Sequence, residues 1–128
     1  MCGIIGINSN KPVSSTIINS LKKLEYRGYD SAGIATLSDG FINEVKCEGR
    51  VETLEKNISK VNLQGEIGIG HVRWATHGKP SFINAHPHSS EKVSVVHNGI
   101  IENSTILKKV LEKKGYKFKS QTDTEVIA

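Results

Sequence analysis

The chain has 128 residues, 37% of them hydrophobic and 23% charged, with a formal net charge of +4. That is enough for one modest domain with a core of its own, and the balance is ordinary for a soluble globular protein. No apolar run approaches membrane-spanning length, and the start Met-Cys-Gly-Ile-Ile-Gly-Ile lacks the basic region of a signal peptide, so a cytoplasmic protein is expected. Much of the positive excess is lysine near the end: Lys108, Lys109, Lys113, Lys114, Lys117 and Lys119. The first four fall on the polar side of an expected helix, and no interleaved aromatics accompany them. They read as a solvated face, so neither nucleic acid nor a membrane is an expected partner.

Residues 2–8 are rich in glycine and isoleucine and predict a buried strand at the terminus. Residues 14–26 place Ile17, Leu21 and Leu24 on one face, with Ile18 beside it, and predict an amphipathic helix ending near Gly28. Residues 32–38 and 41–48 predict a hairpin turning at Ser38-Asp39-Gly40. In the second of these strands Cys47 alternates with Val45, as a small buried residue would. A short helix is expected over 51–60. Residues 66–72 alternate isoleucine and glycine, which leaves one bare strand face open to close approach. Residues 75–91 form a long polar loop, and loops of that length are commonly functional. A strand is expected over 92–97. A helix follows from about Asn103 to Lys114, with Ile106, Leu107, Val110 and Leu111 facing inward and Gly115 ending it. Thr122 and Glu125 have capping-box spacing, which predicts one more helix start. The order does not alternate strand and helix regularly, so the fold class is α+β.

Two cysteines without CxxC spacing make neither a disulfide framework nor a zinc ribbon. Taken alone, Cys2 reads first as a buried residue of the first strand. If Met1 is removed, however, Cys2 carries a free α-amino group within reach of its own thiol. An α-amino group titrates near pH ~7.7–8.0 and a thiol near ~8.5, so one residue supplies both nucleophile and base. Attack on an amide also needs donors for the developing oxyanion. Asn98-Gly99, following a strand, could supply a side-chain amide and a backbone N–H, although on sequence alone Asn-Gly reads more readily as a hairpin turn. An amino-acid substrate needs a cation for its carboxylate, which fits Arg73, and an anion for its ammonium, which fits Asp123. Asp123 is equally a first-turn helix acid, and the single tryptophan, Trp74, equally a packing residue. The histidines His71, His77, His86, His88 and His97 crowd one region and suggest a metal hydrolase, but no HExxH or cysteine pair accompanies them, and no metal is expected.

The strings Met-Cys-Gly-Ile-Ile-Gly at 1–6, Leu-Glu-Tyr-Arg-Gly-Tyr-Asp-Ser-Ala-Gly at 24–33 and His-Val-Arg-Trp-Ala-Thr-His-Gly at 71–78 come in a definite order. Asn-Ala-His-Pro-His at 84–88, His-Asn-Gly-Ile-Ile-Glu-Asn at 97–103 and Thr-Asp-Thr-Glu-Val-Ile at 122–127 follow. In this order and along the whole chain, they resemble the class II glutamine amidotransferases, members of the N-terminal-nucleophile hydrolases, and within them the aminosugar branch. The resemblance implies an αββα sandwich. It implies that residues 1–128 are the N-terminal half of such a domain, truncated, with the remainder and a sugar isomerase domain absent. It implies L-glutamine as substrate, Cys2 as nucleophile, Asn98 and Gly99 as oxyanion hole, and Arg27 ordering the terminus. Arg73 with Thr76 and His77 would hold the α-carboxylate, Asp123 the α-ammonium, and Trp74 would gate the site. No cofactor is implied. Ammonia would pass to the isomerase domain for glucosamine 6-phosphate synthesis from fructose 6-phosphate, in a full-length homo-oligomer. A fragment that keeps the motifs without activity is the other expectation.

Overall fold

The computed structural model describes residues 1–128. Strand β1 (Gly3–Asn8) is followed by helix α1 (Ser14–Leu24) and a short 3-10 turn, Glu25–Arg27. Strands β2 (Ser31–Ser38) and β3 (Phe41–Glu48) form the expected hairpin. Asp39 and Gly40 sit at φ 52° and 79°, the positive values that a two-residue turn between twisted strands requires. Helix α2 (Val51–Ile58) and strand β4 (Ile67–Arg73) follow. These strands make one antiparallel sheet in the order β1-β4-β2-β3.

Residues paired across antiparallel strands share a face. Ile5, Gly70, Ile34 and Val45 lie level across the sheet on the face that meets α1 and α2. There Ile17, Ile18 and Leu21 of α1 join Val51 and Leu54 of α2 over Ile34, Cys47 and Val72 to make the core. The bare face of β4 is what lets α1 come so near. A Cβ built on Gly68 would stand 2.7 Å from Ile17 Cδ1, and one on Gly70 2.6 Å from Ile17 Cγ2. Cys47 is buried here, as its alternation with Val45 predicted.

The isoleucines of β4 therefore point to the opposite face, and that face is only half covered. At the Arg73 end the segment 74–90 lies across it. Gly33 makes this possible, because a Cβ there would stand 2.0 Å from the His86 carbonyl oxygen. Lys46 of β3 donates from Nζ to the Pro87 carbonyl at 3.3 Å and fixes the segment from the other side. At the far end and along β1 the face is open: Ile67 is 45% exposed, Leu37 40% and Ile4 47%.

Beyond β4 the chain departs from the sequence expectations in three places. The strand expected over 92–97 is only β6 (Ser94–Val95), paired with β5 (His88–Ser89) inside the expected loop. Too few neighbouring strands are present to extend it. Helix α3 (Ser104–Lys113) forms and closes with the Tyr116 N–H on Leu111 O and the Gly115 N–H on Glu112 O, a Schellman ending. None of its residues is buried, however. Ile106 and Val110, expected to face inward, are 66% and 46% exposed, because no other layer lies against that stripe. Finally, the last element is a 3-10 turn, Thr124–Ile127, without a capping box. Glu125 turns back instead to accept the N–H groups of Lys119 and Ser120 at 2.7 and 2.6 Å. Thr122 bonds to Ser120 and His88. No helix is long and apolar enough to cross a membrane.

Candidate active site

The register of β1 on β4 pairs Gly3 with Val72, which brings Cys2 beside Arg73 and Trp74. The Trp74 N–H donates to Cys2 Sγ at 3.3 Å, and Sγ lies 3.5 Å from the Trp74 carbonyl. Two side chains converge on the Cys2 carbonyl oxygen. Arg27 donates from Nε at 3.1 Å and Asn98 from Nδ2 at 3.0 Å. The thiol is thus held through its own backbone, leaving Sγ with only weak contacts. An amide nitrogen carries two donors, so Asn98 keeps one after serving Cys2.

Arg73 is 3% exposed. Its guanidinium donates to the carbonyls of Gly78 at 3.0 Å, Lys79 at 3.4 Å and His77, so it folds the 77–79 segment around itself. Burial pushes its pKa down, opposed by the nearby acids Asp30 and Asp123 and by Cys2. Asp30 also accepts the Ala75 N–H, tying the strand end to the loop that follows Trp74. Trp74 is 49% exposed and stands edge-on to Tyr29, with ring centroids 5.6 Å apart.

One shallow cleft collects Cys2, Arg73, Trp74, Thr76, His77, His86, His97, Gly99, Thr122, Asp123 and Thr124. Only two of these eleven are hydrophobic, so the cleft suits a small polar ligand. Of the residues singled out from the sequence, Cys2, Gly99, Arg73, Trp74, Thr76, His77 and Asp123 line it, while Arg27 and Asn98 stand behind Cys2. Asn98-Gly99 is not a hairpin turn, since the chain reverses earlier, between β5 and β6. Sequence reasoning missed Asp30, Thr122 and Thr124 as site residues, and it met His86 and His97 only as candidates for a metal. Asp30 was legible inside its motif, but the threonines carried no chemical signal of their own.

His71 Nε2 faces the His97 carbonyl and His88 Nε2 faces Thr122 Oγ1. His71 and His86 stack with centroids 4.1 Å apart and planes at 14°, and His88 meets His86 edge-on at 4.7 Å. Burial lowers the pKa of His71 and of His88 to about 4 and that of His86 further still. These rings are neutral at pH 7. No group of three or more His, Cys, Asp or Glu is placed to hold a metal ion.

A family model described as the glutamine amidotransferase domain matches residues 74–128. The chain is 59% identical over 99% of its length to the glutamine–fructose-6-phosphate aminotransferase (isomerizing) of Clostridium acetobutylicum. It is 59% identical over its whole length to that of Francisella tularensis subsp. tularensis. The chain is a homologue of the N-terminal glutamine amidotransferase part of these aminotransferases. It spans about a fifth of their length, 21% in each case. The fold matches a glutamine phosphoribosylpyrophosphate amidotransferase from B. subtilis, complexed with ADP and GMP, at a TM-score of 0.81 and 30% identity. It matches an allosteric regulatory enzyme of purine biosynthesis at 0.83 and 30% identity. Each match covers 99% of this chain and 28% of the other. This is the α+β fold of the class II amidotransferase N-terminal domain, in part.

Proposed function

We propose that this aminotransferase homologue carries the glutamine-hydrolysing chemistry of a class II amidotransferase, with Cys2 as its nucleophile. The observation that carries the reading is the meeting of Cys2, Arg73, Gly99 and Asp123 in one polar cleft, although they come from opposite ends of the chain. With Met1 removed, the Cys2 α-amino group takes the thiol proton and Sγ attacks the glutamine carboxamide carbon. The oxyanion accepts the second Asn98 Nδ2 hydrogen and the Gly99 N–H. Collapse of the adduct releases ammonia, which leaves with the proton that the amino group held. Water, activated by the same amino group, then hydrolyses the thioester to glutamate and restores the thiol.

Arg73 holds the substrate α-carboxylate with its remaining donors, Thr76 and His77 assist it, and Asp123 holds the α-ammonium. Trp74, half exposed at the rim, closes over the bound amino acid. Arg27 orders the terminus through the Cys2 carbonyl. Residues 1–128 are on this reading the N-terminal half of the amidotransferase domain of a cytoplasmic protein. In the full-length homo-oligomer the ammonia passes to a sugar isomerase domain for glucosamine 6-phosphate synthesis. The test is glutamate release from glutamine by the processed chain, with Cys2→Ala as control. Release that persists in Cys2→Ala would overturn the assignment.

A second reading, a non-catalytic fragment, is favoured by the open sheet face and by α3, none of whose residues is fully buried. Absence of glutamate release from a folded, processed chain would favour it.

A further inference from the structure

We propose that His71 and His86 are positioning residues for the segment that carries Asn98 and Gly99, acting by gripping both backbone polar groups of His97. The inference rests on the reading of Asn98-Gly99 as oxyanion donors. The His97 N–H donates to His86 Nδ1 at 3.4 Å, and His71 Nε2 lies 3.1 Å from the His97 carbonyl oxygen. That carbonyl and the Asn98 N–H belong to one planar peptide unit. Holding the oxygen therefore sets the plane from which Asn98 departs.

The grip is stiff because its parts support one another. His71 and His86 lie flat against each other, at 0% and 5% exposure, so no bulk water competes for their nitrogens. The His97 ring is held as well, with Nδ1 3.2 Å from Thr124 Oγ1, and it lies against Gly99, where a Cβ would stand 2.8 Å from its Nε2. His88 extends the column to Thr122, Nε2 to Oγ1 at 2.8 Å, beside the turn that carries Asp123. The His71 and His86 contacts meet on the His97 backbone, and the His88 contact ends on the turn just before Asp123.

The two bonds dictate the tautomers. A carbonyl only accepts, so His71 must carry its proton on Nε2. An N–H only donates, so His86 Nδ1 must be bare, with its proton on Nε2. His71 Nδ1, buried without any partner, needs no proton on this assignment. The charged groups facing the column are Arg73, Lys46, Asp123 and Glu125. A cationic His86 could not accept from His97, and the neutral state that burial enforces keeps the acceptor available.

The competing explanation is packing alone, and matched variants separate the two. His86→Phe keeps the stacked ring and removes the acceptor, while His86→Asn places an amide oxygen near the Nδ1 position. His71→Phe removes the donor, and His71→Gln restores an N–H near Nε2. In the processed full chain, long-range ¹⁵N–¹H NMR should show both rings as neutral Nε2–H tautomers at pH 7. Amide exchange at His97 should quicken about ten-fold in His86→Phe, as expected for loss of one hydrogen bond, and recover in His86→Asn. Glutaminase kcat should fall about 10- to 100-fold in both Phe variants with little change in KM, less than the ~10²–10³ for outright loss of a donor, and recover in the amide variants. An Nδ1–H tautomer at His86, or His97 exchange unchanged by His86→Phe, would overturn the proposal. So would a rise in KM with kcat retained. If a Phe variant does not fold, the tautomers of the unaltered chain still decide. If the unaltered chain releases no glutamate, the functional reading fails by itself, while tautomer and exchange data still decide whether the grip exists.

Discussion

The Asp123 carboxylate accepts the backbone N–H of Ile101 through Oδ2 at 2.7 Å. The acid proposed for the substrate ammonium thus also ties down the far end of the loop that carries Asn98 and Gly99. Two substitutions separate these duties. Asp123→Asn removes the charge but keeps an acceptor for Ile101, so KM for glutamine should rise about ten-fold or more while kcat changes little, the pattern of lost uniform binding. Asp123→Ala loses both, and kcat should fall as well. Steady-state kinetics of the two variants side by side is the measurement. Equal KM in Asp123→Asn and the parent would remove Asp123 from the ammonium site.

A different prediction concerns the terminus. The proposed base is the α-amino group of Cys2, so the active species must lack Met1, and intact mass spectrometry should find it so. A form that retains Met1 should release no glutamate. An electrophilic glutamine analogue should alkylate Cys2, which borders the cleft, and spare Cys47, which is 3% exposed and whose thiol burial pushes up in pKa. Peptide mapping after labelling distinguishes the two. Full activity with Met1 in place would sink the terminal-amine mechanism.

Arg73→Lys preserves the charge but not the fork. The guanidinium here spends donors on the carbonyls of His77, Gly78 and Lys79, and a lysine ammonium cannot hold these and a carboxylate together. The expected outcome is a raised KM together with weaker order in 77–79, visible as faster amide exchange there. An unchanged KM would remove the carboxylate assignment.

The buried histidines predict an acid limb in stability. His71 and His88 titrate near 6.5 when unfolded and at about 4 when folded. Between those values the unfolded chain binds more protons, so stability is whole above about pH 6.5 and declines as pH falls toward 4. For His71, wholly buried, the loss is roughly 3 kcal/mol, at ~1.4 kcal/mol for each tenfold loss of proton affinity on folding. Urea midpoints at pH 7.5, 5.5 and 4.5 should fall in that order. His88→Gln should flatten the decline, and a midpoint independent of pH would show that these rings are not buried neutral.

The parts of the fold legible in the sequence are those whose partners lie inside it. Ile17 and Leu21 announced a helix face, and Gly68 and Gly70 announced the close approach that receives it. Asp39-Gly40 announced the hairpin. The residues that misled belong to elements without a second layer. Ile106 and Val110 have helical periodicity, but periodicity says only that a stripe exists, and here nothing lies against it. Glu125 had capping spacing, yet the Lys119 and Ser120 amides reach it first. At the candidate site, chemical type located Cys2, Arg73 and Asp123, since nucleophile, cation and anion are readable one letter at a time. The histidine column was not readable, because a stack of neutral rings depends on which strand neighbours which loop.

The last prediction follows from the uneven burial. The core between the sheet and α1–α2 is complete, with Ile17 and Leu54 at 0% exposure, whereas the opposite face and α3 are not covered. Ile17→Ala or Leu54→Ala should therefore cost about 2–5 kcal/mol, a large share of the ~5–15 kcal/mol that native domains hold. Ile106→Lys should stay within about 0.5 kcal/mol, as surface changes do. Open apolar side chains at Ile4, Leu37 and Ile67, with β1 and β3 as sheet edges, should make the isolated chain bind a hydrophobic dye and self-associate as concentration rises. Ile67→Lys should reduce both, because it places a charge on that open face. Urea unfolding, dye binding and size-exclusion chromatography of these variants check the set. If Ile106→Lys proved as costly as Leu54→Ala, or if the parent stayed monomeric and dye-free at high concentration, then α3 and the open face would be covered in solution by something the isolated fold does not supply.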